Sequence, residues 1–209
     1  MRKFMFNDEC RLTQAVIRKK KTKTRRLAER VVRQWEIAEE LTGILGNPTK
    51  RKETLKEFAL KACPIKVGEI VAVTQNYRDI IESEWLPTDK ENEVIRMVEE
   101  NHPGCTNKMF VKPELMARYI KITGEDFERL QDISDDDCLA EGIVKTPYPD
   151  KVGYPSGYAY EFPSFQYGGR RSVLYPTPRS AFAALIDKVS GKGTWARNPY
   201  VYVFTFELV

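Results

Sequence analysis

The sequence predicts an α+β fold, a small curved or barrel-like sheet with helices around it. Three observations carry this expectation. The β-branched and aromatic runs at 67–73 and 200–206 read as strands. Stretches of helical period, with apolar stripes at 28–45, 89–100 and 180–189, lie between or beside them. The strands are few, short and separated along the chain, which suits a small sheet wrapped by helices. At 209 residues, with 42% hydrophobic and 11% aromatic residues, the chain can build one good-sized domain with a real core.

Residues 2–6 alternate charged and apolar types and read as a first strand. From Glu9, Leu12, Val16 and Ile17 recur at helical spacing, with Asp8 or Thr13 as cap, and this helix is expected to run into the basic stretch 18–26. Val31, Val32, Trp35, Ile37, Ala38, Leu41 and Leu45 mark a second helix, stopped by Gly46-Asn47-Pro48. A third covers 53–61 and ends before Cys63-Pro64. The strand at 67–73 follows, then a helix at 89–100 closed by Asn101-His102-Pro103-Gly104. Residues 117–130 read as two strands or one bent strand. Ser134 caps a short helix with acids in its first turn and Gly142 just past its end. Residues 143–177 are rich in Pro, Gly, Tyr and Ser and read as a long loop or irregular hairpin. The helix at 180–189 and the strand at 200–206 complete the chain.

The four cysteines are irregularly spaced, with no Cys-x-x-Cys pair, so reduced thiols are expected. His102 and Cys105 could offer two metal ligands, with Cys63 as a third. The second close pair of a structural zinc site is missing, so neither metal nor cofactor is expected. No apolar run approaches the ~20 residues that span a bilayer, and residues 1–8 lack a signal-peptide core. The expected location is cytoplasmic, without membrane contact.

A net charge of +4 hides an uneven distribution. Positive charge gathers at 18–33 and 50–52, negative charge at 99–100 and 135–137. Such a basic face suits a polyanion or an anionic ligand. The densest run, Arg18-Lys-Lys-Lys-Thr-Lys-Thr-Arg-Arg26, also carries two hydroxyls. Lys21 and Thr24 stand three apart, so a helical last turn or a tight turn would aim both at one cleft. The plain alternative is a solvated basic turn.

Four segments together resemble an ASCH domain, a branch of the PUA-like β-barrel superfamily, and most closely the ASCH-type proteins encoded by bacteriophages and prophages. They are Lys21-Thr22-Lys23-Thr24-Arg25-Arg26; Cys63-Pro64 with Gly68-Glu69-Ile70-Val71-Ala72-Val73; 127–142; and Phe182…Leu185-Ile186…Trp195…Asn198-Pro199-Tyr200-Val201-Tyr202-Val203. Lys20 stands where a glycine usually precedes the Lys-Thr pair, and Glu69 where an aspartate is usual. The resemblance covers about half of a single domain, 1–209, leaving about 28–62, 76–112 and 143–177 as insertions. It implies a PUA-like (ASCH) β-barrel with a cleft proposed in relatives to take RNA or a nucleobase. One small bacterial branch hydrolyses N4-acetylcytidine through a Lys, a Thr and a Glu, which match Lys21, Thr24 and Glu141 here.

The expected function is therefore binding of RNA, single-stranded nucleic acid or a modified nucleoside in a basic-rimmed cleft. Lys19, Lys20, Lys23, Arg25, Arg26, Arg170 and Arg171 are the candidate nucleic-acid contacts. The tyrosines of 143–177 either stack on bases or pack the loop down. One alternative is an amidohydrolase of N4-acylated cytidines, with Thr24 as nucleophile and Lys21 as base, which requires the ammonium to be disfavoured. Neighbouring cations and burial would push Lys21 that way, and Glu141 would oppose them. A second alternative is a phage accessory protein that binds a host protein. Oligomeric state is left open.

Overall fold

A computed structural model describes residues 1–44, 53–83, 86–148, 157–162 and 173–209. Its elements follow the chain as β1 (Arg2–Phe4), α1 (Leu12–Ile17), β2 (Lys23–Leu27), α2 (Glu29–Ile44), α3 (Leu55–Ala62), β3 (Ile70–Val73), α4 (Tyr77–Ser83) and α5 (Thr88–Glu99). Then come β4 (Tyr119–Arg129), α6 (Asp135–Ala140), β5 (Val144–Pro147), β6 (Tyr158–Glu161), α7 (Pro178–Ser190), α8 (Thr194–Arg197) and β7 (Tyr200–Leu208). The α+β expectation holds.

Five strands form one sheet in the order β1-β3-β4-β7-β2. β1 runs parallel to β3, and the remaining pairs are antiparallel. β4 and β7 pair along most of their length, with a register shift between Ile122 and Gly124 that bends the ladder. Val201, Tyr202, Val203 and Phe204 are all buried, so β7 is covered on both faces.

β1 and β2 stand at opposite ends of the strand order, yet they meet in space. Arg26 of β2 lies over the rings of Phe4 and Phe6, 4.8 and 5.4 Å from their centroids, and donates to the Met5 carbonyl at 2.9 Å. Phe4 also packs 5.5 Å from Phe204, and Phe6 6.1 Å from Phe206. The sheet curls until its edges touch through a side chain. Among the described residues the ladder joins five strands in one sheet, and the small PUA-like barrel that the resemblance implies is not found as a closed ladder.

The first helix is shorter than its apolar spacing predicted. Lys19 takes a left-handed φ of 57°, and the Lys20 and Lys21 amides both turn back to the Ala15 carbonyl at 2.8 and 3.0 Å. The basic run then becomes a strand: Lys23 to Leu27 pair with Thr205 to Val201. Its pattern hid it, because the residues it buries include Thr24 and Arg25, which are not apolar.

A satellite core under α4 and α5 joins Tyr77, Ile80, Val94, Met97, Leu115 and Met116. His102-Pro103-Gly104-Cys105 belongs to it. His102 Nδ1 accepts the Gly104 amide at 3.0 Å, Cys105 is buried, and a Cβ on Gly104 would stand 2.6 Å from the Tyr77 ring. Packing accounts for this motif, and among the described residues no group of three or more His, Cys, Asp or Glu could hold a metal ion. Residues 117–130 are one bent strand, and β5 and β6 form the hairpin within 143–177. Tyr160 is buried there, while Lys145 lies 3.9 Å over the ring of the exposed Tyr158. Tyr154 and Tyr167 lie outside the described residues.

Candidate functional site

Lys21 follows the pinned turn after α1. The Thr22 amide donates to the Ala140 carbonyl at 2.9 Å, which lays the turn against the end of α6. Glu141 is the C-cap of that helix. Ser134 accepts the Asp137 amide at the other end, and Gly142, at φ 103°, lets the chain turn away. A side chain at 142 would also approach Leu12 to 3.4 Å. These two local devices bring together residues 120 apart in sequence.

Lys21 Nζ donates to Glu141 Oε2 at 2.5 Å and to the Glu141 carbonyl at 2.8 Å. Both side chains are nearly sealed, at 2% and 5% exposure. Burial pushes the Lys21 pKa below the ordinary lysine value, Glu141 pulls it back by charge and hydrogen bond, and Arg26 and Arg25 add to the downward push. The net direction is down.

Arg25 is the hub. Its Nε and Nη2 donate to Glu128 Oε1 at 2.9 and 2.7 Å, Nη2 to Asp137 Oδ2 at 2.7 Å, and Nη1 to Glu141 Oε1 at 3.2 Å. Lys23 Nζ reaches the other Asp137 oxygen at 2.5 Å. Burial alone would lower the Arg25 pKa, but the three carboxylates outweigh it and the net shift is upward. Asp137 is likewise held below the usual carboxylate value, its partial burial overcome by Lys23 and Arg25.

This cluster forms one wall of a cavity of about 400 Å³. Lys21, Thr24, Arg25, Arg26 and Glu141 line it together with the apolar side chains of Phe182, Leu185 and Ile186 on α7 and of Phe6 and Leu12. Thr24 is buried on β2, paired in the ladder with Phe204, and its hydroxyl makes no hydrogen bond to any described residue. A pocket of this size, mostly apolar with a few fixed polar groups, is the usual form of a small-molecule site. No family model, curated protein or solved structure matches this chain.

The structure thus brings Lys21, Thr24 and Glu141 to one cavity, with Thr24 on a strand and not on a helical turn. Lys19 and Lys20 are exposed, Lys23 is half-buried, and Arg26 faces the cavity half-buried. Arg25, expected on the rim as a phosphate contact, is inside: its side chain is 1% exposed, and each of its nitrogens serves a carboxylate. Arg170 and Arg171 lie outside the described residues. Sequence reasoning missed Glu128 and Asp137 as its counter-ions, and the α7 stripe as part of the lining. The acids at 135–137 read only as helix-dipole complements, although three together exceed what one short helix needs.

Proposed function

We propose that this chain binds a nucleobase in the cavity of Lys21, Thr24 and Glu141, the base being offered by a modified nucleoside or by single-stranded nucleic acid such as RNA. One observation carries the reading. Donors and acceptors from β2, the turn before it and the end of α6 line one cavity together with apolar side chains of α7, which suits a flat ring with a polar edge. The lysine–glutamate pair is tight and buried, so it presents an oriented donor and acceptor. The free Thr24 hydroxyl is the adaptable third group.

The test is calorimetric titration with cytidine, N4-acetylcytidine and short single-stranded RNA. Binding by at least one of them, lost in Ile186→Trp, which fills the cavity, is the expected result. Absence of heat from every base-bearing ligand would end the reading. Affinity for RNA should also fall as salt rises.

A second reading is favoured by the lowered Lys21 pKa. A neutral Lys21 amine could take the Thr24 proton as the hydroxyl oxygen attacks the acyl carbon of an N4-acylcytidine. The cytidine amine would leave with a proton, and water would then cleave the threonyl ester. Glu141 works against this by holding the ammonium, which ranks binding ahead of catalysis. Chromatographic release of cytidine from N4-acetylcytidine, abolished in a folded Thr24→Ala, is the required result.

A further inference from the structure

We propose that the ligand carries a phosphate ester beside its base, and that Arg26 is the residue that receives it. This rests on the base-binding reading. Four cations, Lys21, Lys23, Arg25 and Arg26, meet three carboxylates, Glu128, Asp137 and Glu141. Three of the cations are spent in ion pairs. Among the described residues Arg26 makes none, so the uncompensated positive charge of the cluster resides on the one guanidinium that faces the cavity without a counter-ion.

Arg26 is also held but not satisfied. The Phe4 and Phe6 rings fix its plane, Nη2 gives one hydrogen bond to the Met5 carbonyl, and Nε is buried without a partner. A guanidinium oriented in this way, with donors to spare, is shaped for a phosphate oxygen. Its position supports the same ligand. Arg26 and Leu27 line both the first cavity and a second one of about 510 Å³, where Phe4, Tyr202 and Phe204 supply aromatic surface and Arg30 a further cation. Arg30 likewise makes no ion pair with a described residue. A base in the first cavity would place its phosphate at the partition between the two, with the next unit of a strand toward Arg30.

A free nucleotide and a single strand share this chemistry, and titration separates them. Cytidine, its 3′- and 5′-monophosphates, a cytidine dinucleotide and inorganic phosphate are each titrated into the full chain. In the wild type one monophosphate should bind about tenfold or more tighter than the nucleoside. That ratio should shrink as ionic strength rises past roughly 0.15 M, where charges are screened over about 8 Å. It should collapse toward one in Arg26→Gln and survive in part in Arg26→Lys. A further gain for the dinucleotide, lost in Arg30→Gln, identifies a strand, and its absence identifies a free nucleotide.

Nucleoside binding with no gain from phosphate, or a gain that survives Arg26→Gln, overturns the proposal while leaving base binding intact. If no base-bearing compound binds, both fall together. Should Arg26→Gln fail to fold, the wild-type ratio, its salt dependence and Arg26→Lys decide the matter.

Discussion

Lys21 grips Glu141 at two points, donating to its carboxylate at 2.5 Å and to its main-chain carbonyl at 2.8 Å. The same ammonium therefore fixes the side chain of Glu141 and the end of the helix that carries it. Removing one member of a buried pair leaves a charge without solvent or partner. Glu141→Leu should cost about 3–5 kcal/mol of stability in urea unfolding. Lys21→Met should cost less, because Arg25 still serves Glu141. The double variant should cost less than the two singles added together, as expected of residues in direct contact.

Thr24 should separate binding from stability. Its hydroxyl makes no hydrogen bond to the described protein, so Thr24→Val strands no partner and should shift unfolding by less than about 1 kcal/mol. The same change should abolish or sharply weaken ligand binding by calorimetry. Large destabilisation with binding retained would mean that the hydroxyl is structural.

Stability should respond to alkali through Lys21. Its folded pKa lies below the ordinary value of 10.5, burial being the main cause. Between those two values the unfolded chain holds the proton that the folded chain has released, so stability rises with pH across that window. Urea midpoints of the wild type should gain on those of Lys21→Met as pH climbs toward 10.5.

Asp137 gives a dependence of the same sign in acid. Lys23 and Arg25 depress its pKa, so its contribution is full above the ordinary value of 3.8 and is lost as pH falls through the depressed one. Asp137→Asn should flatten the acid limb of the stability profile, which denaturant titrations at successive pH values will read.

The thiols should be silent until the fold opens. Cys10, Cys63, Cys105 and Cys138 are all buried, and burial, with Asp135 adding, pushes Cys138 up to about 12. Ellman's reagent should react only after denaturant is added. Gly104→Ala is the companion packing test: its methyl would enter the Tyr77 ring, at a cost of about 1–3 kcal/mol.

Much of the fold was legible because apolar period and capping chemistry agree. α6 could be read from Ser134 to Gly142, and β7 from its unbroken apolar run. β2 could not, since a strand that buries threonine and arginine has no apolar alternation to show. The counter-ions of Arg25 stand 103 to 116 residues away and leave no periodic trace. The convergence of Lys21, Thr24 and Glu141 followed from resemblance. Charge and spacing alone left Lys21 and Thr24 between a shared cleft and a solvated basic turn, with Glu141 unconnected to either.

β2 finds its ladder only in β7, and Lys21 its counter-ion only once α6 has formed. Until both arrive, the polar groups of 21–26 have water as their acceptor and little reason to leave it. Joining segments so far apart carries a closure entropy that local helices avoid. The cavity should therefore be among the last features to appear during refolding. Ligand capture by refolding protein would lag behind the quenching and burial of its aromatic side chains, and would mark the moment at which the chain is fully assembled.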